Sequence, residues 1–131
     1  DELRRAYLLV RFGRVDEAIE VCRRADGLID GEHHLPRTLE GSFLIARGDL
    51  RQALKVLREV TRVNPEAVLP RIHFAEACYS SGRKRQGERA LGKARQLDDG
   101  NHERMIEKLE ETWGELEPAD VPPPVELAVE R

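Results

Sequence analysis

The sequence predicts an all-α chain of short helices joined in pairs by tight turns, and three observations carry that expectation. Glycines recur at Gly13, Gly48 and Gly82, 35 and then 34 residues apart, and each is followed five positions later by a small residue: Ala18, Ala53 or Gly87. Apolar residues around them recur three and four apart, the period of one helix face, rather than in the alternation of a strand. Aromatic residues are only 5% of the chain, so its core must be built mainly from Leu, Val, Ile and Ala, as packed helices build theirs.

The first helix is expected over 2–12, with Leu3, Ala6, Tyr7 and Val10 on one face. Gly13 ends it, because glycine takes the left-handed backbone at no steric cost and lets the chain turn sharply. The second helix, 15–26, sets Ile19, Cys22 and Ala25 on the face that Ala18 opens. A small residue early in this helix allows close approach to its partner. Residues 27–34 read as a loop. The third helix, 35–47, ends at Gly48, and Asp49 stands at the start of the fourth, 50–63, whose face is Leu50, Ala53, Leu54, Leu57 and Val60. Asn64-Pro65 closes it, since proline bars continuation and pushes its predecessor out of helical geometry. The fifth and sixth helices are expected over 67–81 and 84–97. The seventh, 101–116, takes Asn101 as its N-cap, sets Met105, Ile106, Leu109 and Trp113 on its apolar face and turns Glu103, Glu107, Glu110 and Glu111 to water. Beyond it Pro118, Pro122, Pro123 and Pro124 forbid helix and favour extended geometry. The chain therefore divides into a helical domain, 1–116, and a proline-rich tail, 117–131, which the module's own groove or a neighbouring copy is expected to hold.

Composition narrows the function. With 36% charged residues and no run of 18 apolar ones, direct membrane insertion is not expected. The net charge of −3 makes nucleic acid an unexpected partner. The absence of a starting Met and of a signal-like segment points to a piece of a longer protein, expected in the cytoplasm. No catalytic residues, metal site or cofactor are expected. His33 and His34 are adjacent, point apart on an extended loop and have no spaced partners for a tetrahedral set. His73 precedes Glu76 by three and reads as a salt-bridged or solvated histidine. Cys22 and Cys78 lie at apolar helix positions and read as small buried hydrophobes. Arg83, Lys84, Arg85 and Arg89 form the one basic cluster, at the start of the sixth helix, where cations oppose the helix dipole.

The glycine, the small residue five positions on, the apolar pairs Leu54–Leu57 and Ala90–Leu91, and Asn64-Pro65 together resemble the tetratricopeptide repeat, whose period is roughly 34 residues. The resemblance covers about residues 2–100 in three units and is fullest in the second. The family's early tryptophan is absent from all three, Gly41 alone holds the family's first glycine position, and Gly87 replaces the usual alanine. The resemblance implies a right-handed superhelical stack of three helix-turn-helix pairs, with the seventh helix as its C-terminal cap.

It also implies a protein-interaction scaffold or adaptor whose concave face is lined by the first helix of each pair. Projected onto this chain, that groove takes Leu3, Tyr7, Val10 and Arg11 from the first unit. Thr38, Ser42, Ile45 and Ala46 come from the second, and Leu69, Ile72, Glu76 and Tyr79 from the third. Its expected partner is a protein or peptide, bound as an amphipathic helix or an extended apolar segment. The clamp that some members close on a C-terminal carboxylate is not expected, since Leu3, Tyr7 and Ser42 stand where Lys, Asn and Arg would be needed. Two alternatives remain: a homo-oligomer formed when residues 121–131 dock into another copy, and RNA binding in the manner of the pentatricopeptide repeat.

Overall fold

The computed structural model describes residues 2–28 and 34–114. Among these lie seven α-helices and no strand: α1 (Glu2–Arg11), α2 (Val15–Leu28), α3 (Leu35–Arg47), α4 (Leu50–Val63), α5 (Val68–Ser80), α6 (Lys84–Leu97) and α7 (Glu103–Trp113). Helix α2 runs to Leu28, so residues 27 and 28 extend it instead of opening the loop. The rest of that loop to His33, the end of the seventh helix at 115–116, and the tail with its expected docking lie outside the described residues. No helix among the described residues is long and apolar enough to cross a membrane.

The three glycine turns repeat one hydrogen-bond pattern. Gly13, Gly48 and Gly82 have φ of 78°, 89° and 80°. Each glycine N–H donates to the carbonyl three residues back: Val10 at 2.9 Å, Ile45 at 2.9 Å and Tyr79 at 3.1 Å. The next N–H donates five residues back, Arg14 to Leu9 at 2.8 Å, Asp49 to Leu44 at 2.9 Å and Arg83 to Cys78 at 2.7 Å. These bonds satisfy carbonyls that a helix end would leave unpaired. Asp49 adds a side-chain cap to α4, its Oδ1 accepting from the Gln52 N–H at 3.3 Å.

Asn101 does not cap α7, which begins at Glu103 after His102. The Asp98 carboxylate accepts from the His102 N–H at 3.1 Å, and Asp99 accepts from the Asn101 N–H at 3.3 Å. The paired acids thus organise a turn where the sequence suggested the helix had already started.

Consecutive helices pack against one another along the whole described chain. The small residues make this possible: Ala18 and Ala53 are fully buried, and a Cβ added to Gly41 would fall 2.5 Å from the Leu57 side chain. Two core clusters result. One joins Ile19, Cys22, Leu39, Leu44, Leu57 and Val60 with Ala77 and Cys78 of α5. The other joins Ile72, Ala75, Tyr79, Leu91, Ala94 and Ile106. Phe74 packs against both, so α5 links the two halves. Each fully buried Leu or Ile contributes about 1.5–3 kcal/mol. Glu40 brings a charge into this core: buried in α3, it accepts from Arg23 Nε of α2 at 3.1 Å and from Arg37 Nη1 at 3.1 Å.

First helices of neighbouring pairs also touch, α3 against α5 and α5 against α7, whereas no comparable packing joins α2 to α4 or α4 to α6. A layer whose first helices crowd together while its second helices spread must curve toward the first helices. That curvature puts α3, α5 and α7 on the inner side.

Candidate functional site

On that inner side, α5 and α7 enclose a trench of about 490 Å³. Helix α5 supplies Ile72, His73, Glu76 and Ser80, one face at helical spacing, and α7 supplies Met105, Lys108, Leu109, Thr112 and Trp113. The walls are fixed at both ends of the chemistry. Trp113 stacks flat on Tyr79, with ring centroids 5.8 Å apart and planes 6° apart. Ile106 is buried in the core below, and Arg95 of α6 forms a two-pronged ion pair with Glu110. Met105 is left 38% exposed, an unusual position for an unbranched apolar side chain that adapts to what it touches. The rim is polar: His73 Nδ1 lies 3.2 Å from Glu76 Oε1, with Lys108 on the facing helix.

The residues expected to line the groove separate into three groups. Tyr7, Arg11 and Ala46 are exposed, and Tyr7 meets the Phe43 ring edge-on at 5.7 Å. Leu3, Val10, Ser42, Ile45, Leu69 and Glu76 are half-buried. Of these Leu3, Val10 and Ile45 lean on the core, while Glu76 opens into the trench. Thr38, Ile72 and Tyr79 are buried among core residues. The Thr38 hydroxyl is consumed locally, donating to the His34 carbonyl at 2.9 Å, and His34 Nδ1 lies 3.1 Å from it. Ile72 forms the floor of the trench, and Tyr79 lies beneath Trp113. A helix that packs against neighbours on two sides has less free face than its sequence suggests.

The wall contributed by α7 is what sequence reasoning missed, because α7 was read as a cap with one apolar face. The signal was present. Met105 and Leu109 form one stripe and Ile106 and Trp113 another, more than a single packing partner requires.

Burial pushes the Tyr79 phenol up to about 12, helped by Glu88 and Glu110, so it stays neutral. Burial also drives the thiols up, Cys22 to about 12 and Cys78 to about 11, the reverse of what an activated nucleophile needs. Among the described residues no three His, Cys, Asp or Glu side chains gather as a metal would require. His33 lies outside them.

A sequence model described as the tetratricopeptide repeat matches residues 44–109, half of the chain. The chain belongs to the tetratricopeptide repeat family. No curated protein matches it in a parallel comparison. The match begins within α3 and closes at Leu109 within α7, so it takes in the α5 wall of the trench and the α7 wall as far as Leu109, with Thr112 and Trp113 beyond it. Membership makes the chain a protein–protein interaction repeat module in general terms. Departures from the repeat have local causes. A tetratricopeptide unit usually carries alanine where this chain has Gly87, and here the Tyr79 ring occupies the space of that methyl group.

Proposed function

We propose that this tetratricopeptide module is a scaffold or adaptor that holds an apolar segment of a partner protein in the α5–α7 trench. The observation that carries this reading is the trench itself. It has an apolar floor and walls from Ile72, Met105, Leu109 and Trp113, a charged rim from Glu76 and Lys108, and a volume of about 490 Å³. That is the size and mixed lining of sites that bind by burial and orient by a few polar contacts. Because two helices wall it, an amphipathic helix or an extended peptide fits better than a compact metabolite.

The net charge of −3 and the acidic outer face of α7 weigh against RNA. The test is selection of peptides from a random display library against the intact chain. Selected peptides should carry apolar anchors and lose at least tenfold in affinity against Met105→Glu, a substitution at a position exposed enough for the fold to tolerate. Selected peptides that bind Met105→Glu and wild type equally would remove the trench from consideration.

A further inference from the structure

Charge is not spread evenly along this chain. Residues 49–97 hold eleven Lys and Arg against five Asp and Glu, and residues 98–131 hold three against eleven. Most of the basic share gathers on the second helices, α4 and α6. Arg51, Lys55, Arg58 and Arg62 recur along α4 at spacings of four, three and four, and all are exposed. Arg85, Arg89 and Lys93 recur every four residues along α6, again exposed and about 6 Å apart along its axis. Helix α5 packs against both, and Arg58 and Arg83 both lie close enough for their charges to act on its Cys78 thiol.

On α6 these cations stand without acids. Arg85, Arg89 and Lys93 make no ion pair among the described residues, whereas Arg62 pairs with Glu59 and Arg95 with Glu110. Arg95 lies on the flank next to α7, where Glu107 and Glu103 also act on it. Glu88, the one acid of α6, stands seven residues before Arg95 and so on that same flank, and its charge reaches Tyr79. Neither the acid of α6 nor those of α7 pair with the Arg85–Arg89–Lys93 stripe. Like charges four apart on a helix destabilise it, so the stripe gains from any carboxylate brought to it.

The acidic part of the chain starts close by. Trp113 stacks on Tyr79, and the Tyr79 ring fills the space of a Cβ at Gly87, so α7 ends beside the first turns of α6. Residues 115–131 carry five acids, Glu115, Glu117, Asp120, Glu126 and Glu130, and one cation, Arg131. Half the circumference of a helix with its side chains is roughly 20 Å. A chain spans at most about 3.5 Å per residue, so about six residues beyond Gly114 suffice to pass around α6. Asp120, Glu126 and Glu130 are then within reach of the stripe. One exposed ion pair is weak, but a tethered segment meets its site at an effective concentration in the millimolar range.

We infer that residues 115–130 fold back onto the outer face of α6, where Asp120, Glu126 and Glu130 pair with Arg85, Arg89 and Lys93. The occupant of this basic face is the chain's own acidic segment. The inference does not depend on the trench, which the segment leaves open on the inner side.

A zero-length carbodiimide joins an ammonium to a carboxylate that it touches. The chain has only four lysines, Lys55 on α4, Lys84 and Lys93 on α6, and Lys108 in the trench wall, so mass mapping of cross-linked peptides locates the segment. The intact chain should give a link from Lys93 to Asp120, Glu126 or Glu130. Its yield should be unchanged by tenfold dilution and should fall at least fivefold in 1 M salt. Arg85→Glu with Arg89→Glu should lower the same yield at least fivefold, although neither residue takes part in the coupling. Both positions are exposed, and an unchanged melting curve shows that the fold is intact. Absence of the Lys93 link overturns the inference, as does a link that the two charge reversals leave unaltered. Links from Glu126 or Glu130 to Lys108 instead would seat the segment in the trench. A Lys93 link that forms between differently isotope-labelled chains and fades on dilution would give the face to a second copy, again contrary to the inference.

Discussion

A Cβ added to Gly87 would stand 2.9 Å from Cε1 of Tyr79, closer than real side-chain atoms approach. The small residue near the start of α6 and the large one near the end of α5 are therefore one choice made at two positions. The ring that fills the gap also carries Trp113 and, through it, one wall of the trench.

Gly87→Ala should destabilise the chain, although alanine is the better helix former. Overpacking against a ring held on its other face costs about 1–3 kcal/mol, against roughly 1 kcal/mol gained from helix propensity. In a Tyr79→Leu background the clash is relieved and the same substitution should become neutral or stabilising. Urea denaturation of the four variants gives the coupling directly.

Gly13 isolates the conformational share of such effects. It has φ of 78°, and a Cβ there meets nothing within 4 Å. Gly13→Ala should cost about 1–2 kcal/mol from left-handed backbone alone, and Gly13→Asn should recover part of it. A melting temperature unchanged by Gly13→Ala would mean that the α1–α2 turn does not hold this geometry in solution.

Glu40 is buried to 1% exposure between Arg23 and Arg37, whose side chains stay 45% and 35% exposed. Removing the carboxylate leaves cations that water can still reach, so Glu40→Ala should cost about 1–3 kcal/mol, less than a fully enclosed pair would. Arg14→Ala, at the exposed Arg14–Glu17 pair, should leave stability nearly unchanged. The Glu40 effect should persist in 1 M salt, where surface pairs are screened. Denaturation at two ionic strengths checks both.

The thiols give a pH dependence. Cys22 and Cys78 are held at about 12 and about 11 by burial, against an ordinary 9.0. Both are acids with a raised folded-state value, so the unfolded chain loses these protons first. Their contribution is fully present below about pH 9 and falls as pH rises from there toward 11–12. Under native conditions at pH 8 both should resist a thiol reagent that labels the guanidinium-unfolded chain completely. Prompt native labelling would show that one of these helix seams opens.

Much of this architecture was legible because its signals are local. A left-handed glycine, a proline after asparagine and an aspartate cap each act within a few residues, so Gly48, Pro65 and Asp49 mark their boundaries from sequence alone. What depends on a neighbour was not legible. Thr38, Ile72 and Tyr79 share a helical face with half-exposed residues, and only the placement of α3 against α2, or of α7 against α5, decides that they are buried. Gly41 marks a family position in the sequence, but only the placement of α4 against α3 shows that the Leu57 side chain fills the space of its missing Cβ. The start of α7 falls later than the sequence suggests because Asp98 and Asp99 accept backbone hydrogen bonds in the turn that precedes it.

Trp113 is the only tryptophan and lines the trench, so its emission reports directly on occupancy. Titrating a display-selected peptide should shift that emission with the same midpoint that calorimetry gives, and Met105→Glu should move both midpoints at least tenfold to higher concentration. Saturable binding by calorimetry with Trp113 emission unmoved would place the partner elsewhere and contradict the assignment of the α5–α7 trench.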